Sequence, residues 1–254
     1  MVSQPENILL LTATINPSAG IPLLARSDPN ERRADYERAL RFYVTLLGRC
    51  FDGIVFCENS GADLGSLRAI ADRSEHPEAV EFISFKGEEP PYGYGRAFAE
   101  IMLIEHAWRN SEILRRTSER IVWKCTGRYL IHNMEKFVRR RPKSFDLYCH
   151  MRNNRSRRCE LFMLAWNDKG YETAIEGIAP LLKEVPIETR EPEILFRLHV
   201  ETLGGQLKIV PRFHHVPLIE ARRGWNNQPY SSSPWQGKNL VRAIALKLAP
   251  WLWI

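Results

Sequence analysis

The sequence predicts an α/β fold: a Rossmann-type, largely parallel sheet with helices on both faces, in a single domain with a C-terminal helical extension. Two observations carry this. From Asn7 to Lys124, short apolar runs alternate with longer stretches whose apolar residues recur at helical spacing, the pattern of repeated strand–helix–strand units. The apolar runs also stop in polar turns rich in Thr, Asn, Ser or Gly, as strand ends that face a ligand do in such sheets.

"NILLLTAT" (7–14) is the first buried strand. A Pro- and Gly-containing loop leads to "ERRADYERALRFYVTLLG" (31–48), where Tyr36, Leu40, Tyr43 and Leu47 share a helical face and Gly48 is the stop. "GIVFC" (53–57) is the second strand, "DLGSLRAIADRS" (63–74) a helix and "AVEFISF" (79–85) the third strand. "EEPPYGYG" breaks the chain before the amphipathic "RAFAEIMLIEHAWRNS" (96–111), and "RIVWK" (120–124) is the fourth strand. The second half is less regular. "FDLYC" and "CELFMLAW" read as strands around the basic loop "RNNRSRR" (152–158), "DKGYETAIEGIAPLLKE" and "EPEILFRLHVETLGG" as helices, and "QLKIVPRF" as a strand. Residues 220–239, rich in Asn, Ser, Pro and Gly, read as a flexible loop.

The last segment, "GKNLVRAIALKLAPWLWI" (237–254), puts Leu240, Val241, Ile244 and Leu248 on one helical face, with Lys238, Arg242 and Lys247 off it and Trp251 and Trp253 near the end. Two readings stand: a helix lying in a membrane interface, or one docking its apolar stripe on the domain.

The 254-residue chain is long enough to bury a full core. Its net charge of +6 favours anionic partners, among them phosphates, nucleotides, nucleic acid and acidic membrane surfaces. The five cysteines form no C-x-x-C pair; they read as reduced thiols of a cytoplasmic chain. No clustered ligands suggest zinc. The first residues lack the basic start of a signal peptide, and no apolar run reaches the roughly 18–20 residues of a membrane span.

The ends of three predicted strands carry the candidate site: Thr12 to Asn16, Glu58 to Gly61, and Lys124 to Tyr129. The last, "KCTGRY", closes a buried strand with two cations, a hydroxyl and a glycine, and no adjacent acid.

These residues resemble the nucleotide-binding half of a GT-A-type glycosyltransferase. In "IVFCENSGAD", Glu58, Asn59 and Ser60 stand where the family holds the nucleoside, and "GYGRAFAE" resembles its helix start. "RIVWKCTGRYLIHNMEKF" occupies the slot that normally ends in a metal-binding Asp-x-Asp. "KxTGRY" with "ENS" and a "GYG" helix start is also similar to a group of metal-independent bacterial surface-polysaccharide (lipopolysaccharide or capsule) transferases. The resemblance covers about half the chain, mainly in layout.

The resemblance implies a nucleotide-sugar donor half over 1–140 and an acceptor half of the same domain over 141–219, followed by the loop over 220–239 and an amphipathic helix over 240–254. It implies no cofactor and no metal: Lys124, Arg128 and Arg96 replace the metal against the diphosphate, as positioned cations can. Gly127 lets the backbone approach the ligand, and Thr12, Thr126 and Tyr129 bond to sugar or phosphate. It further implies a catalytic acid pair, Glu191 and Glu193, with Glu191 fitting best as base. His214 and His215 contact the diphosphate or acceptor, and the 224–232 loop closes over the donor. The acceptor is then a lipid-linked or surface glycan, with peripheral contact to the inner face of the cytoplasmic membrane.

Blander readings stand beside these. Glu58, Asn59 or Ser60 can cap a helix, Glu191 and Glu193 suit a first helical turn, and the basic loop 152–158 reads either as a contact for a phosphate-bearing acceptor or the membrane or as a solvated hairpin. Competing classes are a nucleic-acid-binding protein, a nucleotidyltransferase, and a non-catalytic relative acting as an assembly partner. Nucleic acid is not expected, because the cations follow no single face and no standard motif appears.

Overall fold

The computed structural model describes residues 5–18, 24–87, 89–153, 157–183, 191–222, 226–230 and 233–248. Its strands are β1 (Glu6–Ala13), β2 (Gly53–Glu58), β3 (Val80–Ser84), β4 (Arg120–Thr126), β5 (Leu130–Ile131), β6 (Leu147–Tyr148), β7 (Met163–Trp166), β8 (Ile209–Val210) and β9 (Ile219–Glu220). Its α-helices are α1 (Pro29–Val44), α2 (Gly65–Ala71), α3 (Arg96–Asn110), α4 (Glu112–Arg115), α5 (Met134–Arg139), α6 (Asp168–Ala174), α7 (Pro192–Thr202) and α8 (Ser233–Leu248).

Continuous apolar runs make β1, β2 and β4 strands buried on both faces, the signature of a parallel sheet covered on both sides. Seven strands pair in the order β3-β2-β1-β4-β7-β6-β8. β1 to β4 are parallel, β7 runs antiparallel to β4 and β6, and β8 is parallel to β6. Only β7 is therefore reversed, and the predicted α/β architecture stands. β5 and β9 form a separate two-stranded ribbon that ties the chain after β4 to residues 219–220.

Alternate residues of each strand feed two apolar layers. Leu9, Leu11, Ile54 and Phe56 face α1 and α2 through Tyr36, Leu40, Tyr43, Leu67 and Ile70. Ile8, Leu10, Val55 and Val122 face α3 and α7 through Ile101, Ile104, Phe196 and Val200. Helices thus cover both faces of one sheet, which runs unbroken from the first half of the chain into the second through the β4–β7 pairing.

Chain order leaves β1 towards β2 and β3 on one side and reaches β4 on the other. The β1–β4 boundary is therefore the switch point, where the carboxyl ends of the strands open a crevice. Register brings Ala13 beside Glu58, Glu58 beside Ser84 and Thr12 beside Thr126. The three predicted strand ends lie along one sheet edge.

Two details differ from the sequence reading. Helix α8 begins at Ser233, so 233–239 are helical rather than loop. Pro234 sits in its first turn, where a missing N–H costs nothing. Helix α8 also does not dock by its whole apolar stripe: Val241, Ile244 and Leu248 are 57%, 49% and 74% exposed, while Asn239, Arg242 and Leu246 face a cleft of the domain. Trp251, Trp253 and the side chains of Lys238, Leu240 and Lys247 lie outside the described residues. Among the described residues no helix is long and apolar enough to cross a membrane.

Candidate functional site at the carboxyl edge of the sheet

The chain leaving β1 is held from both sides. Glu58, fully buried at the end of β2, accepts the Ile15 N–H at 2.9 Å, the Ser60 N–H at 3.0 Å and the Ala62 N–H at 3.2 Å, together with the Ser60 hydroxyl. The Thr14 hydroxyl donates to Asn59 Oδ1 at 2.6 Å, and the Asn16 N–H donates to Ser60 Oγ at 3.0 Å. From the α1 side, the Thr14 N–H donates to the Tyr36 hydroxyl at 2.9 Å and Arg32 Nε donates to the Thr14 carbonyl at 2.6 Å. Buried Arg26 pairs with Asp35 at 3.0 Å. These bonds tie the chain after β1 to β2 and α1, so its own contacts shape the crevice.

The end of β4 does have an acid. Glu100, one turn into α3, accepts hydrogen bonds from the Lys124 ammonium, the Thr12 hydroxyl at 3.0 Å and the Thr126 hydroxyl at 3.1 Å. The Lys124 side chain is 1% exposed and donates again to the Leu161 carbonyl at 2.6 Å. Lys124, expected against a diphosphate, is thus buried and paired with Glu100. The donor set also does not fit a divalent cation: the single carboxylate is occupied by an ammonium and two hydroxyls. Among the described residues no group of three or more His, Cys, Asp or Glu gathers to hold a metal.

Gly127 packs closely against β1. Its N–H donates to the Thr12 carbonyl at 2.9 Å, and a Cβ there would lie 2.8 Å from that oxygen and 3.3 Å from the Tyr36 ring. Arg128, 7% exposed, donates to the Arg222 carbonyl and lies 4.9 Å from the centre of the Tyr129 ring. The Tyr129 ring meets that of Tyr230 edge-on at 5.5 Å. Arg222 and Tyr230 thereby meet the end of β4; of the expected 224–232 loop, residues 224, 225, 231 and 232 lie outside the described residues.

Beside this edge lies a cleft lined by His150, Arg152, Phe162, Arg212, His215 and Arg242 among others. It adjoins β4 through Phe162, whose carbonyl accepts the Thr126 N–H at 2.9 Å. Burial, with Arg152, Arg212 and Arg242 nearby, holds His150 well below the usual histidine range. Burial and Arg152 bring Arg242 down to about 10.

Arg152 connects the cleft to the carboxylates. Its Nε lies 3.0 Å from Glu160, which also sits 3.4 Å from Arg158, and Arg158 reaches Glu191 at 3.3 Å. Glu191 is the exposed N-cap of α7. Glu193, half-buried in its first turn, is raised above the usual carboxylate value by burial and by Glu160 and Glu191.

The edge therefore gathers Thr12, Glu58, Asn59, Ser60, Thr126, Gly127, Arg128 and Tyr129. Glu191 and Glu193 stand behind Arg152, and His215 lines the cleft. Arg96 is exposed at the start of α3. His214 is exposed, its N–H donating to the Tyr148 hydroxyl at 2.8 Å. Sequence reasoning missed Glu100, Arg32 and Arg212; it met Arg152 only as the start of the basic loop 152–158 and Arg242 only as a cation of the C-terminal helix. Helical phase alone could have flagged Glu100, four residues after Arg96.

No protein-family model matches the chain, and no curated protein does. Among solved structures, it is similar to a protein from Desulfovibrio desulfuricans G20 provisionally described as a nucleotide-diphospho-sugar transferase, at TM-score 0.46 and 11% identity over 96% of this chain and 97% of that one. It is also similar to the galactosyltransferase LgtC in complex with donor and acceptor sugar analogs, at TM-score 0.43 and 10% identity over 76% of this chain and 70% of that one. An active-site mutant of LgtC gives 0.44 and 11% over the same shares, 76% and 70%. Likeness at this level assigns no chemistry to the chain.

Proposed function

We propose that the chain is a glycosyltransferase built on a GT-A-like sheet, taking a nucleotide-sugar donor without a metal at the diphosphate. The observation that carries this reading is the pre-built crevice at the β1–β4 switch point, opening beside an arginine-lined cleft with a carboxylate cluster behind it. Thr14, Asn59 and Ser60 border the nucleoside; Thr12, Glu58, Lys124, Gly127 and Glu100 hold the edge in shape; and Arg128 and Tyr129 border the sugar diphosphate.

In the reaction the acceptor hydroxyl oxygen forms a bond to the sugar's anomeric carbon as that carbon's bond to the diphosphate breaks. The nucleoside diphosphate leaves with the bonding electrons, and cations stabilise its developing charge. The acceptor proton passes to a carboxylate. A carboxyl raised towards the working pH is the better base, which supports Glu193 over Glu191. The exposed Val241, Ile244 and Leu248 stripe supports a peripheral contact with the inner face of the cytoplasmic membrane and a lipid-linked or surface-glycan acceptor.

A thermal-shift screen with UDP-, GDP-, CMP- and dTDP-sugars, with and without EDTA, tests the reading. A ligand that binds only the folded chain stabilises it, so one donor class should raise Tm equally with and without chelator. No shift with any donor, or a shift that EDTA removes, counts against it.

A further inference from the structure

We propose that Arg158 is the positioning residue for the α7 carboxylates: it stands between Glu160 and Glu191 and balances the negative charge gathered around Glu193. For its bearing on sugar transfer the inference rests on the reading of Glu193 as base.

The chain on either side of the basic loop pairs as two arms of a hairpin. Met151 bridges Cys159, the Glu160 N–H donates to the His150 carbonyl at 2.9 Å, and the Arg152 N–H donates to the Arg158 carbonyl at 2.8 Å. Helix α7 is held on this hairpin by its own contacts. The Cys159 N–H donates to the Glu193 carbonyl at 2.9 Å. From α7, Arg197, 3% exposed, donates to the Arg152 carbonyl at 2.5 Å and to Asn153 Oδ1 at 2.8 Å. These bonds fix where Glu193 stands without using the Arg158 side chain.

That side chain is left with a different task. Its Nε lies 3.4 Å from Glu160 and its Nη1 3.3 Å from Glu191, so one guanidinium spans a carboxylate of the hairpin and the N-cap of α7. Glu160 also meets Arg152 at 3.0 Å and acts on Arg242. Cys159, next to both, is fully buried, and burial keeps its thiol protonated. Burial raises the Glu193 carboxyl, Glu160 and Glu191 raise it further, and its own backbone N–H and Arg158 pull it down.

Charge and packing therefore act on Glu193 with opposite signs. Removing the Arg158 charge disfavours the carboxylate form and moves its titration midpoint up. Loosening the hairpin exposes Glu193 to water and moves the midpoint down, towards the ordinary carboxylate value. A purely structural role for Arg158 predicts the second result.

A pH titration of the Glu193 side-chain carboxyl carbon by NMR, on the full chain, reads the difference; the resonance is identified by its loss in Glu193→Gln. Arg158→Gln should raise the midpoint by at least about 0.5 unit, a fraction of the about 1–3 units that a directly contacting cation produces. Arg158→Lys, which keeps the charge, should restore at least half of that shift, and Glu160→Gln should move the midpoint down. A smaller rise or a fall in Arg158→Gln, the same midpoint in the Gln and Lys variants, or a rise in Glu160→Gln overturns the inference. The pH dependence of transfer then separates this inference from the role of Glu193: with Glu193 as base, the acid limb of the rate moves up in Arg158→Gln together with the resonance. A shifted resonance with an unmoved limb, or with no transfer in wild type, keeps the charge balance at Glu193 and ends its reading as base.

Discussion

Replacing Glu100 with leucine isolates the feature that organises the end of β4. Glu100→Leu leaves the Lys124 ammonium, 1% exposed, with the Leu161 carbonyl as its remaining acceptor, and frees the Thr12 and Thr126 hydroxyls. Breaking a buried pair from one side costs about 3–5 kcal/mol. The lower end applies, because the Glu100 side chain is 23% exposed and the carbonyl remains. At about 2–4 °C per kcal/mol for a chain of this size, a loss of about 3 kcal/mol lowers Tm by about 6–12 °C. In the double variant Glu100→Leu/Lys124→Met the stranded charge is gone, so at least half the loss should return. Urea unfolding and thermal melts of wild type, single and double variants give the comparison. A single variant melting within about 2 °C of wild type, or a double no better than the single, refutes the assignment of Lys124 to Glu100.

Three further outcomes follow from the same geometry. Gly127→Ala puts a Cβ 2.8 Å from the Thr12 carbonyl, a backbone atom held in the sheet; overpacking of this kind costs about 1–3 kcal/mol, to be read as a shift in urea midpoint. His150 is held well below its usual value, so the unfolded chain takes up a proton before the folded one does. Its contribution is intact above the unfolded value near 6.5 and is lost as pH falls from there towards the folded value. His150→Gln should flatten that part of the stability–pH curve, and an unchanged slope contradicts it. Glu193→Gln should abolish sugar transfer while donor affinity stays within about twofold, since a base acts on the acceptor proton; equal loss of donor binding would remove Glu193 from that role.

The first four strands are legible in the sequence because buried parallel strands leave unbroken apolar runs, as in "GIVFC" and "RIVWK". The three strand ends follow from that, since a parallel sheet brings like ends to one edge. What stayed hidden depends on contacts between distant residues. Glu100 meets Lys124 only because α3 packs across β1 and β4, so "KCTGRY" read as acid-free. The close approach of Gly127 to the Thr12 carbonyl likewise joins residues far apart in the chain. The arginine cleft gathers side chains from β6, β8 and α8, and no local pattern joins Arg152, Arg212 and Arg242. The start of α8 was masked by Ser, Gly, Pro and Asn, which read as loop although Pro234 suits a first helical turn.

Release of nucleoside diphosphate from a panel of UDP-, GDP- and dTDP-sugars, to water or to an added glycan acceptor, with EDTA present and with Glu193→Gln alongside, tests the central claim most directly. The account predicts release from one donor class at a rate EDTA leaves unchanged, abolished in Glu193→Gln. No release from any donor, or release that the chelator stops, contradicts it.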